Sequence, residues 1–261
     1  MTKGTVVDMT FYVIKLLEGL EVAVYESPGM KNTFIVDENS KKLVESERKE
    51  FHLWMARLEA TVEDQRKLMR VLGYLKGMQE ATLLLSAMGV PMVVAYVDAA
   101  YAIHNDSKSH PGVIAYVGHT LVYVSLRKQK CISKSPTEAE LIALTDNVGL
   151  VELFKEFVEF LVMKKIPVLI VYKDCNAVVS LVTLGGGVTR TKPLRAMMHL
   201  GKEMIDEGGI RVIYKKGEDM LADGMSKPYD PVCQTQTVCI GTIGRTEIGQ
   251  RVGAGRYEEK Q

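Results

Sequence analysis

The chain has 261 residues, enough for one large domain or two small ones. It is 47% hydrophobic and 25% charged, an ordinary globular balance, and its net charge of +1 excludes a whole-molecule basic field, so any nucleic-acid surface must be local. No apolar run reaches the about 18 residues of a membrane span, no signal-peptide core opens the chain, and Cys131, Cys175, Cys233 and Cys239 lack zinc or CxxC spacing, so the expectation is an intracellular (cytoplasmic or nuclear) protein with free thiols and no membrane partner.

Residues 1–90 read as mostly helical. The first helix is expected over 11–20. A second covers 62–76, where Leu68, Val71, Leu72 and Leu75 form one stripe and Thr61 followed by Asp64 marks the start. Residues 27–47 read as loop or irregular strand.

Residues 91–229 alternate strands with helices. Strands are expected over 93–98, 112–117 and 121–125, the last two joined by the short turn Gly118-His119-Thr120. A long helix follows over 136–163, with Ser135 as N-cap, Pro136 at the first position and Glu138 completing a capping box. Then come a strand over 168–173, a helix over 176–184 ending in Gly185-Gly186-Gly187, a helix over 194–206, a strand over 210–215 and a short helix over 219–226. The order β-β-β-α-β-α-α-β-α implies an α/β fold: a mixed five-stranded sheet, three antiparallel strands then two parallel, flanked by helices. Residues 230–261 are rich in glycine and polar residues and are expected to form a disordered tail.

Four acids stand out on this plan: Asp98 and Asp174 after apolar strand runs, Glu140 on the long helix and Asp223 on the last one. Charge at the end of a buried strand is costly unless paired or bound to metal. The strands over 93–98 and 168–173 should be adjacent and parallel, which sets Asp98 beside Asp174 at the carboxyl edge where open α/β sheets bind ligands. Residues two apart on a helix diverge by about 200°, so only one of Glu138 and Glu140 can face that edge. Glu138 is committed to the cap, which leaves Glu140.

Five segments in order resemble the ribonuclease H domain of copia-type (Ty1-like) retrotransposon Pol polyproteins. They are Tyr96-Val97-Asp98-Ala99, Asp106-Ser107-Lys108-Ser109-His110, Arg127-Lys128-Gln129-Lys130, the stretch from Ser135 to Leu144 and the stretch from Leu221 to Pro228. The resemblance implies a ribonuclease H-like fold over 91–229 and cleavage of the RNA strand of RNA–DNA hybrids. It also implies two Mg²⁺ ions, with Mn²⁺ as a substitute, held by Asp98, Glu140, Asp174 and Asp223. Asp98 would be shared between the ions, with Glu140 and Asp174 on one side and Asp223 on the other. RNA would be told from DNA by its 2′-hydroxyls. Asn176 and Thr137 are the candidates for that contact, and Arg127, Lys128, Lys130, Lys134, Arg190 and Lys192 the candidates for phosphate.

Residues 1–90 resemble the end of the same polyprotein's reverse transcriptase, through the segments from Phe11 to Glu18 and from Leu72 to Gly77. The chain is shorter than the family between Leu58 and Thr61 and has no Tyr-x-Asp-Asp motif, which implies a helical remnant without polymerase activity. The partners implied are an RNA–DNA hybrid and other parts of the polyprotein. The family's Thr-Lys-His is Thr191-Lys192-Pro193 here, and the loop over 215–218 carries no histidine, which implies slower turnover rather than lost metal binding. The alternative function is a weak or inactive transposon remnant that only binds nucleic acid.

Overall fold

The structure, a computed structural model, describes residues 4–29, 33–55, 59–79, 82–86, 92–118, 120–166, 168–184, 192–207 and 209–227. Arg190, the glycines at 185–187, the side chain of Lys192 and the segment 230–261 lie outside the described residues. The chain divides into two compact units, Asp8–Ala81 and a second made of Met1–Val7 with Thr82–Gln261.

The first unit holds α1 (Thr10–Leu17), α2 (Glu45–Trp54) and α3 (Val62–Gly77). Thr61 caps α3 as its sequence suggests: its hydroxyl accepts from the Asp64 amide at 3.3 Å, and its own amide donates to Asp64 at 2.9 Å. Leu72 packs with Leu17 and Val22, flanked by Leu68 and Leu75. Val71, expected on the same stripe, is exposed because it sits at the edge of the arc that α1 covers. Gly73 admits the chain that crosses α3, since a Cβ there would stand 2.0 Å from the Ala23 carbonyl oxygen. Helix α2 has no counterpart in the sequence expectation, because its sequence is mostly polar and, among its described side chains, Phe51 alone is deeply buried.

In the second unit, β1 (Gly4–Asp8) pairs with β2 (Thr82–Ser86). The main sheet contains β3 (Val93–Ala100), β4 (His110–Val117), β5 (Thr120–Leu126), β6 (Leu169–Lys173) and β7 (Ile210–Tyr214), in the spatial order β5-β4-β3-β6-β7. Strands β3, β4 and β5 are antiparallel neighbours, and β3 runs parallel to β6 and β6 to β7. This is the ribonuclease H-like arrangement that the sequence implied. Helices α4 (Pro136–Val162), α5 (Asn176–Leu184), α6 (Lys192–Asp206) and α7 (Asp223–Ser226) complete the unit.

The two-residue period of β3 sorts its side chains between two cores. Val93, Ala95, Val97 and Ala99 pack on the side of Leu141, Leu144, Val148 and Val151 from α4. Val94 and Tyr96 face the other way, with Ile114, Tyr116, Ile170, Met220 and Ala222. Both faces are covered, which is why β3 reads as an unbroken apolar run.

Several details differ from the sequence expectation. The first helix ends at Leu17 rather than at 20, and the strand expected from 112 starts at His110. Strand β3 continues to Ala100, so Asp98 lies inside it, opposite Gly112 of β4. The helix expected over 219–226 is a 3₁₀ turn at Gly217–Asp219 followed by α7. The chain between them is extended at Met220, which buries that side chain against the sheet and interrupts the helix. The cap of α4 is formed, with the Ser135 hydroxyl accepting from the Glu138 amide at 3.2 Å. The Glu138 carboxylate, however, takes the Lys134 amide at 2.9 Å rather than that of Ser135.

Candidate active site

The register delivers the first two acids. Tyr96 pairs with Tyr172 across β3 and β6, and Asp98 and Asp174 each lie two residues further along. Two residues is one strand period, so Asp98 stays on the face that carries α7, and Asp174 is the first residue past the end of β6. Asp98 is 1% exposed, and its Oδ2 accepts from the Ser226 hydroxyl at the end of α7. Glu140 arrives from the opposite side on the first turns of α4, and its Oε1 accepts from the Ala99 amide at 3.2 Å. Asp98, Glu140 and Asp174 each offer an oxygen, and these oxygens all lie within 4.8 Å of one another.

Asp223 opens α7 and is buried. It is not one of that group of three. Its Oδ2 accepts from the Lys227 ammonium, and among the described residues its buried Oδ1 has no hydrogen-bond partner. Helix α7 reaches this place because β4 carries glycine opposite Asp98. A Cβ on Gly112 would stand 3.0 Å from Met225 Cβ, 3.1 Å from the Ala222 oxygen and 3.2 Å from the Ser226 amide nitrogen. On the other flank, a Cβ on Gly217 would stand 3.9 Å from Asp174 Oδ2, in ordinary van der Waals contact with it.

Crowding and burial make Glu140, Asp174 and Asp223 resist ionisation. Burial raises the Glu140 carboxyl to about 8; Lys173 opposes the rise and the Asp98 charge adds to it. Asp223 rises to about 6, through burial and then Asp98, with Lys227 opposing. Asp174 is raised by burial and by Asp98. Hard divalent cations bind oxygen donors of this kind and displace their protons. The donor set fits such an ion: three carboxylates converge, and a fourth nearby holds a buried oxygen that no described group satisfies.

Lys173 is the residue that sequence reasoning missed. It is fully buried, and its ammonium donates to Glu140 Oε2. The signal was there: alternation puts Lys173 in the inward row of Leu169 and Val171, a charge among apolar side chains beside Asp174. Ser226 and Lys227 fall within the Leu221–Pro228 motif, but their contacts with Asp98 and Asp223 depend on where α7 docks.

The expected substrate contacts divide. Gln129 is buried and its side-chain amide donates to the Ala139 carbonyl at 2.8 Å, pinning the 127–130 loop to the turn of α4 that carries Glu140. Arg127 and Lys130 are exposed on either side of it. Lys128 is exposed too, but it pairs with Asp106 at 2.8 Å, which Lys108 also contacts at 3.3 Å. Lys134 is exposed and Thr137 half-buried at the start of α4; Asn176 is exposed at the start of α5, two residues after Asp174.

No family model matches the chain. It is 27% identical over 169 residues, 64% of its length, to the retrovirus-related Pol polyprotein from transposon RE1 of Arabidopsis thaliana. It is 28% identical over 139 residues to the corresponding polyprotein from transposon TNT 1-94 of Nicotiana tabacum. Its homologues are Pol polyproteins of copia-type transposons. The chain spans 12% of the first relative's length and 10% of the second's. Among solved structures it is similar to the RNase H1 of Halobacterium salinarum NRC-1, with 15% identity, 50% of this chain and 90% of that one covered and a TM-score of 0.39. No helix among the described residues is long and apolar enough to cross a membrane.

Proposed function

We propose that this chain is a divalent-metal-dependent ribonuclease H, part of a transposon polyprotein, that cleaves the RNA strand of RNA–DNA hybrids. One observation carries the reading: carboxylate oxygens from β3, from the turn after β6 and from α4 lie within 4.8 Å of one another at the carboxyl edge of a parallel strand pair. Asp98, Glu140, Asp174 and Asp223 would hold the metal. Bound divalent cations supply Lewis acidity and a water of lowered pKa for in-line displacement at phosphorus.

The remaining roles fall to the chain itself. Ser226 fixes the rotamer of Asp98, and the Ala99 amide fixes that of Glu140. Arg127 and Lys130, held in place by Gln129, neutralise substrate phosphates. Asn176 and Thr137 reach for 2′-hydroxyls. Lys134, Arg190 and Lys192 extend the phosphate contacts, and Lys128 joins them when substrate competes with Asp106.

The test is hydrolysis of a hybrid labelled on its RNA strand, with Mg²⁺, by the wild type and by Asp174→Asn. Metal-dependent cleavage that the substitution abolishes supports the reading. Equal, metal-independent background from both proteins refutes it. A second reading, hybrid binding without cleavage, is favoured by Lys173, whose ammonium occupies one oxygen of Glu140. It predicts salt-dependent binding of the hybrid and no product.

A further inference from the structure

We infer that Lys173 is an internal counter-cation for Glu140, so that the acidic site takes one divalent cation tightly and a second only by drawing Glu140 away from Lys173. The inference deepens the metal-dependent reading and rests on it.

Glu140 is committed at both oxygens. Oε1 accepts from the Ala99 amide and Oε2 from the Lys173 ammonium. Lys173 cannot withdraw into water, because it is fully buried in the row of Leu169 and Val171. An uncompensated ammonium in that row would be costly, and Glu140 is the carboxylate with which it is paired. A cation that takes Glu140 Oε2 as a ligand meets this fixed positive charge at contact range. A cation held by Asp98 and Asp174 meets it only at longer range, since Lys173 acts on Asp174 electrostatically but donates its hydrogen bond to Glu140.

The charge balance points the same way. Fully ionised, Asp98, Glu140, Asp174 and Asp223 carry four negative charges. Lys173 and Lys227, paired with Glu140 and Asp223, return two positive charges. The remainder of two is neutralised by one divalent cation. Four carboxylates without these lysines would balance two such cations. Lys227 is partly exposed and can swing aside, whereas Lys173 cannot. The second cation therefore competes with Lys173 in particular.

The experiment is a Mn²⁺ titration of the full chain without nucleic acid, at a pH where Glu140 is ionised, reading free ion by electron paramagnetic resonance. The wild type should bind one ion tightly and a second at least about tenfold more weakly, and Lys173→Met should tighten the second by about tenfold or more. Lys173→Gln keeps a donor for Glu140 without the charge, and it decides the matter if thermal unfolding shows that the methionine variant does not fold. A merely structural lysine would change stability without changing the spacing of the two affinities. Two equal sites in the wild type, or affinities unchanged in the folded variants, overturn this inference and leave the metal-dependent reading intact. No Mn²⁺ bound by any of the proteins overturns both.

Discussion

Replacing Gly112 with alanine tests whether the docking of α7 builds the site. The new Cβ would meet Met225 Cβ at 3.0 Å, the Ala222 oxygen at 3.1 Å and the Ser226 amide nitrogen at 3.2 Å. Two of those three atoms are backbone, so a rotamer change cannot relieve them and α7 must move by a few tenths of an ångström. Overpacking of this kind costs about 1–3 kcal/mol. The displacement also carries the Ser226 hydroxyl away from Asp98 and Asp223 away from its place, and removing such supporting hydrogen bonds lowers metal affinity by about 10–100-fold. Gly149, in the exposed middle of α4, is the internal control, because a Cβ there meets nothing within 4 Å. Alanine at 149 should stabilise by roughly 0.5–1 kcal/mol through helix propensity alone. Urea unfolding gives both stabilities, and calorimetric titration with Mg²⁺ gives the affinity. If Gly112→Ala matches the wild type in both, or if Gly149→Ala destabilises as much as Gly112→Ala, close approach at Gly112 does not set the place of α7.

The raised Glu140 carboxyl makes metal-free stability fall with pH. Its folded value of about 8 lies above the ordinary 4.5, so the folded state holds the extra proton in between. The contribution is fully present below the ordinary value and is lost as pH rises through the folded one, at up to about 1.4 kcal/mol per pH unit. The wild type minus Glu140→Gln difference in melting temperature, in chelator, should therefore decline across that window, and a flat difference would show that the carboxyl is not perturbed. Mg²⁺ binding at neutral pH should release protons, seen as a buffer-dependent binding enthalpy. Neutralising Arg127 and Lys130 together should weaken hybrid binding and lower the salt slope of its affinity by roughly two, about 0.9 for each phosphate that the protein no longer neutralises. Unchanged slope with normal folding would remove the 127–130 loop from the substrate surface.

Periodicity and punctuation carried much of the fold. Apolar runs over 93–97 and 168–172, the Ser135-Pro136 start and the long connection between those strands (ample for a parallel crossover) are local features, and they forced β3 and β6 together. Helix α2 escaped because a polar helix has little pattern, and Val71 because a stripe does not say how wide its partner is. At the site, Asp98, Glu140 and Asp174 were legible from topology alone, and the structure brings their oxygens together. Asp223 was legible as a residue but not as a position, since α7 is one turn long and its place is set by Gly112 of a distant strand.

The sequence by itself determined which strands are neighbours, which helix carries an acid to their edge and which acid that is, because those follow from periods of 2 and 3.6 and from connection length. The tertiary structure alone decided what each carboxylate touches. Asp98 meets Ser226 across 128 positions of chain, and Glu140 meets Lys173 across 33. Such pairings depend on side-chain reach and burial across elements, which no local pattern encodes, and they determine how much negative charge the site has left for metal.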